Sequence, residues 1–199
     1  VFTAQFDVLT IRGARKQAME TITAEYLEEQ RRLHHNPNYG IASLAWGEKV
    51  GAILHHLAAQ SMTDYGAGKK NLKKALDALG IGGYAYQAFD PAFPQYGQAV
   101  EADLVCCIDV LEHVEPHLLD NVLLDLKRIT KTVGFFTVHT GPAAKTLSDG
   151  RNAHLIQKPA TWWLTKLADH FQIGYVEHYE GLGKGFAVVV GAKLTSTEH

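Results

Sequence analysis

The chain has 199 residues, 46% of them hydrophobic and 20% charged, with a formal net charge of −2 when its 11 histidines are neutral. That is the make-up of one globular domain able to bury a core, without the basic excess of a nucleic-acid surface. Cys106 and Cys107 are the only cysteines and are adjacent; with no disulfide framework, no apolar run of about 18 residues and no leader pattern, a cytoplasmic protein with no membrane partner is expected.

Taken in order, the charged stretch 13–34 reads as a helix with Ala18, Ile22 and Tyr26 on one face, ended by Asn36-Pro-Asn-Tyr-Gly40. Trp46, Val50, Ile53, Leu54 and Leu57 have helical spacing and mark a second helix. Residues 1–58 are expected to cap the ligand side, or else to pack or pair two copies as a homodimer. Strand and helix then alternate: strand 61–65, helix 69–79, strand 83–89, strand 103–108, helix 116–131, strand 133–139, helix 159–171, and strands 173–179 and 185–193. Such alternation predicts an α/β fold with a doubly wound, mostly parallel sheet, here a core over 61–193 in a single domain, 1–199.

Particular residues support these elements. Leu104–Ile108 is continuously apolar, as in a strand buried on both faces, and Cys106 and Cys107 should point to opposite sides of it. Pro116 and Pro159 suit first helical turns, and Leu118, Leu119, Val122, Leu123, Leu126 and Ile129 form an apolar helix face. Gly181-Leu-Gly-Lys-Gly185 suits a hairpin between the last two strands. Only eleven residues, including Pro91, Pro94 and Gly97, separate Asp90 from Ala102. A further helix and parallel strand need about 30, so that part of the sheet should be shortened.

Ser61–Leu72 carries Asp64, Gly66 and Gly68 between a strand and a helix. Glycines there let backbone approach a ligand, since no Cβ intervenes. Asp90 follows Gly68 by 22 residues, at the end of the next strand. An acid at that offset accepts hydrogen bonds from ribose hydroxyls, so an adenosine-type cofactor is expected. A pyrophosphate would want G-x-G-x-x-G and would be repelled by Asp64; a cationic cofactor would not.

The stretch resembles the first motif of class I S-adenosylmethionine-dependent methyltransferases, where an acid precedes the first glycine by two. The third glycine position is Lys70, a departure that would put a cation near the cofactor. Ala102–Val114, ending in Asp109-Val-Leu-Glu112-His113-Val114, resembles the fourth-strand motif of the same class, and Gly134–His139 the fifth strand. The resemblance covers about residues 39–193. It implies S-adenosylmethionine as cofactor, with Asp64, Gly66, Gly68, Asp90, Asp109 and Tyr39 around it. It also implies that the shortened region is the third strand, leaving Phe93 or Tyr96 to stack on adenine.

Methyl transfer needs a nucleophile held near a sulfonium methyl and, for a hydroxyl, a proton acceptor. His113 and Asp109 are the catalytic candidates, because imidazole titrates near neutrality; a loop-ordering histidine is the competing role. Asp109, Glu112 and His113 are spaced to face one point on a helical turn. The set resembles that of small-RNA terminal 2′-O-methyltransferases, and of some quinone-biosynthesis O-methyltransferases. With His154 as a fourth ligand it would suit Mg²⁺, Mn²⁺ or Zn²⁺. Thr140–Lys158 is the substrate segment, with Lys145, Arg151, Asn152 and His154 placed to grip a polar or anionic acceptor. The expected function is methylation of oxygen on a small polar molecule. The alternatives are metal-assisted 2′-O-methylation of an RNA end, which the charge balance disfavours, and cofactor binding without transfer.

Overall fold

The continuous apolar run at Leu104–Ile108 ends up where its composition demands, in the middle of a sheet. The computed structural model describes residues 19–180 and 183–192. Its elements are α1 (Ala24–His34), α2 (Gly47–Leu57), β1 (Ser61–Tyr65), α3 (Asn71–Ala78), β2 (Ala85–Phe89), β3 (Ala102–Ile108), α4 (Leu119–Ile129), β4 (Thr130–His139), α5 (Ala160–His170), β5 (Phe171–Glu180) and β6 (Lys184–Ala192). The sheet order is β2-β1-β3-β4-β6-β5. β2, β1, β3 and β4 pair in parallel, while β6 runs antiparallel to both β4 and β5.

Helices cover both faces. α2 and α3 bury Val50, Leu54, Leu72 and Leu76 against Met62, Leu104, Cys106 and Phe135. α4 and α5 bury Leu119, Val122, Leu126, Trp163 and Leu167 against Val105, Cys107, Phe136 and Val188. The adjacent cysteines do divide between the two faces, as strand alternation requires. Thus α2, expected in an N-terminal cap, belongs to a helical layer of the sheet, and it is α1 that crosses the carboxyl ends of the strands.

Several boundaries move for identifiable reasons. The first helix begins at Ala24, because Thr23 caps it: the Thr23 hydroxyl accepts from the Tyr26 N–H, and the Thr23 N–H and hydroxyl both donate to Glu115, each at 2.8 Å. Residues 13–18 of the expected helix lie outside the described residues, as do 181 and 182 of the expected hairpin loop and residue 193. The helix expected at 116–131 opens with a 3-10 turn, Pro116–Leu118, and stops at Ile129. Thr130 Oγ1 donates to the Leu126 carbonyl at 2.7 Å as the chain turns directly into β4.

Between β2 and β3 there is no strand among the described residues, only a 3-10 turn at Pro94–Tyr96. β2 is therefore an edge. The Gln87 amide covers part of it by donating to the Ala88 and Tyr96 carbonyls, which blunts an open edge.

Lys70, at the third glycine position, caps α3 with φ +57°. That left-handed conformation costs a side-chain-bearing residue about 1–2 kcal/mol, and it explains why a glycine would suit the site. Lys70→Gly should therefore raise the unfolding free energy by about 1 kcal/mol, less what is lost from its cation–π contact. Urea denaturation measures this, and a loss of stability would contradict the backbone argument.

Candidate functional site

A cavity of about 960 Å³ lies over the carboxyl ends of β1, β2 and β3, roofed by α1, residues 38–45 and part of the 142–145 segment. The β1–α3 turn forms one end. Gly66 and Gly68 have φ +76° and +49°, and the Gly66 and Ala67 N–H groups donate to the Phe89 carbonyl, tying β1 to β2. A Cβ on Gly66 would lie 2.4 Å from Val110 Cγ2, and one on Gly68 would lie 3.1 Å from His34 Cε1. Each glycine thus admits a side chain of this protein as well as bordering the cavity.

The two acids of this region separate. Asp90 lines the cavity. Its Oδ2 accepts from the Gly68 N–H and its Oδ1 from the Ala92 N–H, each at 2.8 Å, leaving lone pairs on both oxygens. Burial pushes its pKa up, while the two backbone donors pull it down. Asp64, expected at the cofactor, instead lies inside the protein and away from the lining. Tyr86 Oη donates to it at 2.9 Å, and burial pushes its carboxyl up to about 7.

Lys70 does not reach the cofactor end. Its ammonium sits 4.2 Å from the centre of the Tyr96 ring, and it is Lys69 that points inward along the turn, bonding the Asn36 and Tyr39 carbonyls at 2.5 and 3.1 Å. Phe93 and Tyr96 stack on each other at 5.3 Å and neither lines the cavity, so the expected adenine stacking is not built. Tyr96 instead donates to the Gly68 carbonyl at 2.9 Å, fixing the glycine turn. Tyr39 does line the cavity, and its hydroxyl donates to Gln30 Oε1 at 3.1 Å.

Asp109, His113, His139 and His154 meet at the other end. Asp109 has φ +59°, held there by its N–H donating to the Thr137 carbonyl and hydroxyl at 3.2 and 3.0 Å. His113 Nδ1 is 2.8 Å from the Ala153 carbonyl, and His154 Nδ1 is 2.7 Å from the Gly141 carbonyl. A carbonyl only accepts, so both Nδ1 atoms carry the proton and both Nε2 atoms present lone pairs. Ring centres lie 4.7 Å apart for His113 and His154, and 4.9 Å for His139 and His154. Burial, then the charge of His154, pushes His113 down to about 4; burial likewise lowers His154.

Glu112 departs from its expected role. It is fully buried, its Oε1 accepts the His139 N–H, and Oε2 has no nitrogen or hydroxyl donor. Burial first and the adjacent Asp109 charge second push its pKa well up. Two carboxyls side by side cannot both ionise cheaply, which favours the neutral form of Glu112. The expected metal set of Asp109, Glu112, His113 and His154 is not assembled. Glu112 is sealed off in the interior, and among the described residues no group of three or more His, Cys, Asp or Glu is arranged to hold a metal ion.

The segment 140–158 is ordered by its own bonds. Leu147, Ala153 and Ile156 are buried, and Asn152 Oδ1 accepts from the Ala143 and His154 N–H groups while its amide donates to the Ala143 carbonyl. Asn152 is thus a loop organiser rather than a substrate contact. Arg151 is exposed and paired with Asp149 at 2.6 Å, away from the cavity. Of the four expected substrate residues, Lys145 and His154 line the cavity.

The three lining residues on α1 were not singled out as site residues from sequence: Tyr26, read as part of an apolar face, Gln30 and His34. They recur every fourth position of α1, so they share a face. Burial, with Lys69 nearby, pushes His34 down to about 4.

No protein-family model and no curated protein matches the chain. Solved structures do. A 1,6-didemethyltoxoflavin N1-methyltransferase from Burkholderia thailandensis is similar over 84% of this chain and 88% of that one, at 17% identity and a TM-score of 0.59. Magnesium protoporphyrin IX methyltransferase from Synechocystis PCC 6803 is similar over 85% and 95%, at 14% identity and a TM-score of 0.53. An N-methyltransferase from Bradyrhizobium japonicum WM9 is similar over 84% and 96%, at 13% identity and a TM-score of 0.52. The fold is that of class I methyltransferases. It is that methyltransferase sheet shortened beside β2, as the resemblance implied. Among the described residues no helix is long and apolar enough to cross a membrane.

The imidazole environments are directly measurable. Proton NMR titration of the ring C–H signals should place His34 and His113 near pH 4, with both rings neutral at pH 7. Midpoints near the ordinary 6.5 would show that these rings are not desolvated as described.

Proposed function

We propose that the protein transfers a methyl group from S-adenosylmethionine to a hydroxyl oxygen of a small polar molecule. The observation that carries this reading is the continuity of one cavity, from the glycine turn and Asp90 at one end to Asp109, His113 and His154 at the other. It has room for a cofactor and an acceptor together, at the edge of an open α/β sheet where ligands bind.

The residues present fit the cofactor. Asp90 keeps a free lone pair on each oxygen, which suits two vicinal hydroxyls, and its backbone donors hold it in place. Asp109 adds an anionic group to a cavity with apolar walls at Ala67, Ile108 and Val110, an environment that suits a sulfonium cation. S-Adenosylmethionine supplies an electrophilic methyl group when bound.

The protein then has to hold the acceptor oxygen and take up its proton. His113 Nε2 is a lone pair at neutral pH, fixed in that tautomer by the Ala153 carbonyl. It receives a hydrogen bond from the acceptor hydroxyl, and the Asp109 charge stabilises the ring as proton density moves onto it. The solved structure from Burkholderia thailandensis holds S-adenosylhomocysteine together with a small-molecule acceptor, which agrees with a shared cavity. Without an assembled metal set, nothing in the site favours metal-assisted modification of an RNA end.

Calorimetry with S-adenosylhomocysteine tests the cofactor half. Binding tighter than about millimolar is expected, and Asp90→Ala should cost about 1.5–3 kcal/mol by removing charge-assisted hydrogen bonds. An unaffected Asp90→Ala variant would exclude the assignment. Transfer of labelled methyl groups to a small-molecule library tests the chemistry: His113→Ala should lower kcat by about 10²–10⁴ while S-adenosylhomocysteine affinity stays the same. Full activity in that variant would leave His113 as a loop organiser.

A further inference from the structure

Two rings at the acceptor end offer the same kind of atom. His113 and His154 each give the Nδ1 proton to a carbonyl, of Ala153 and Gly141, so each keeps an Nε2 lone pair that no group of the protein fills. Both residues line the cavity, and neither Nε2 is sealed in the interior as the unpartnered Nδ1 of His34 is. The ring centres are 4.7 Å apart, and the Asp109 charge acts on both rings. Burial holds both below the ordinary imidazole range. At neutral pH this end therefore presents two uncharged acceptors side by side, next to Asp109.

The second ring is fixed as firmly as the first. His154 is 6% exposed. Its N–H donates to Asn152 Oδ1 at 2.9 Å, and its Nδ1–H to the Gly141 carbonyl at 2.7 Å, so a flip of the ring would break a hydrogen bond. A hydroxyl has one hydrogen to give. A molecule with a single hydroxyl can satisfy His113 or His154. Once it has displaced water, it leaves the other lone pair facing the ligand without a donor, which is costly.

We propose that His154 is a specificity-determining residue, and that the methyl acceptor carries a second hydrogen-bond donor, O–H or N–H, on the atom next to the one bearing the methylated hydroxyl. The methylated hydroxyl meets His113 Nε2 and the second donor meets His154 Nε2. This rests on the methyltransferase reading and narrows its substrate class. The competing role for His154 is ordering of the loop through Gly141 alone, and that role gives its Nε2 nothing to do.

The test is calorimetry on protein saturated with S-adenosylhomocysteine. The probes cis-1,2-cyclohexanediol and 2-aminophenol carry the second donor, as O–H and as N–H. Cyclohexanol and phenol lack it, and 2-methoxyphenol puts in its place an ether oxygen, which only accepts. At least one two-donor probe should bind about tenfold more tightly than its one-donor partner, and which one does so tells O–H from N–H. The methoxy compound should bind no more tightly than phenol. His154→Asn keeps an amide donor near the Nδ1 position but has nothing at Nε2, so it should abolish the preference. His154→Gln, whose amide oxygen can reach the Nε2 position, should keep part of it. A merely loop-ordering histidine predicts the reverse: Asn behaves as wild type and Gln weakens every probe alike. Thermal melting confirms that both variants are folded, and the comparison with 2-methoxyphenol on the unaltered protein stands if one is not. Equal affinities within both probe pairs, a methoxy compound that binds as well as the two-donor probes, or a preference that survives in His154→Asn would overturn the proposal. Failure of S-adenosylhomocysteine to bind in the first step would instead defeat the methyltransferase reading.

Discussion

Glu112 is the tie on which the site depends. It is fully buried at the turn after β3, and its side chain and backbone hold different parts of the molecule. Its Oε1 accepts the His139 N–H at the end of β4, and its backbone carbonyl accepts the Ile156 N–H from the 140–158 loop. The neighbouring Asp109 charge adds to the burial that pushes the Glu112 carboxyl up, and the left-handed backbone of Asp109 is fixed by Thr137 on β4. A buried ionised glutamate here would be costly, and two hydrogen bonds tie this residue to β4 and to the loop. His113 is the next residue, so the direction of the imidazole depends on a carboxyl that never touches solvent.

The roof is assembled from the same neighbourhood. Glu115, two residues beyond His113, accepts two hydrogen bonds from Thr23 and so anchors the start of α1. Further along α1, Glu29 accepts from the Ser148 N–H and hydroxyl in the loop. Tyr26, Leu147 and Ala153 fill the space between them. The turn after β3 thus positions the floor through Glu112 and His113, and the lid through Glu115. Lys69 and Asn71, just after the glycine turn, hold the residues following α1 through the Asn36, Tyr39 and Gly40 carbonyls.

These constraints divide the polar groups into two kinds. Asn152, Tyr96, Tyr86 and Glu112 spend their hydrogen bonds on the protein and define its shape. Asp90, His113 and His154 border the cavity, and each retains a lone pair there. Interior polar groups are normally satisfied, so the second kind marks where the protein is incomplete without a ligand.

The fold was legible because it depends on local patterns. The apolar run Leu104–Ile108, the helix face from Leu119 to Ile129 and the shortness of 91–101 mark the buried strand, a covering helix and the shortened edge, whereas the strand order came only with the structure. Asp90 and His113 were legible because short motifs place them at strand ends. Side-chain direction was not. Asp64 and Glu112 look like ligands in sequence, yet turn inward, because burial and a partner such as Tyr86 or the His139 N–H decide where a carboxyl points. Arg151 lies within a cationic loop, but its nearest charge, Asp149, holds it outside. Tyr26, Gln30 and His34 become site residues only when Glu115 and Ser148 dock α1 over the cavity. Those contacts join residues about a hundred positions apart, and no local spacing encodes them; only the tertiary structure brings them together.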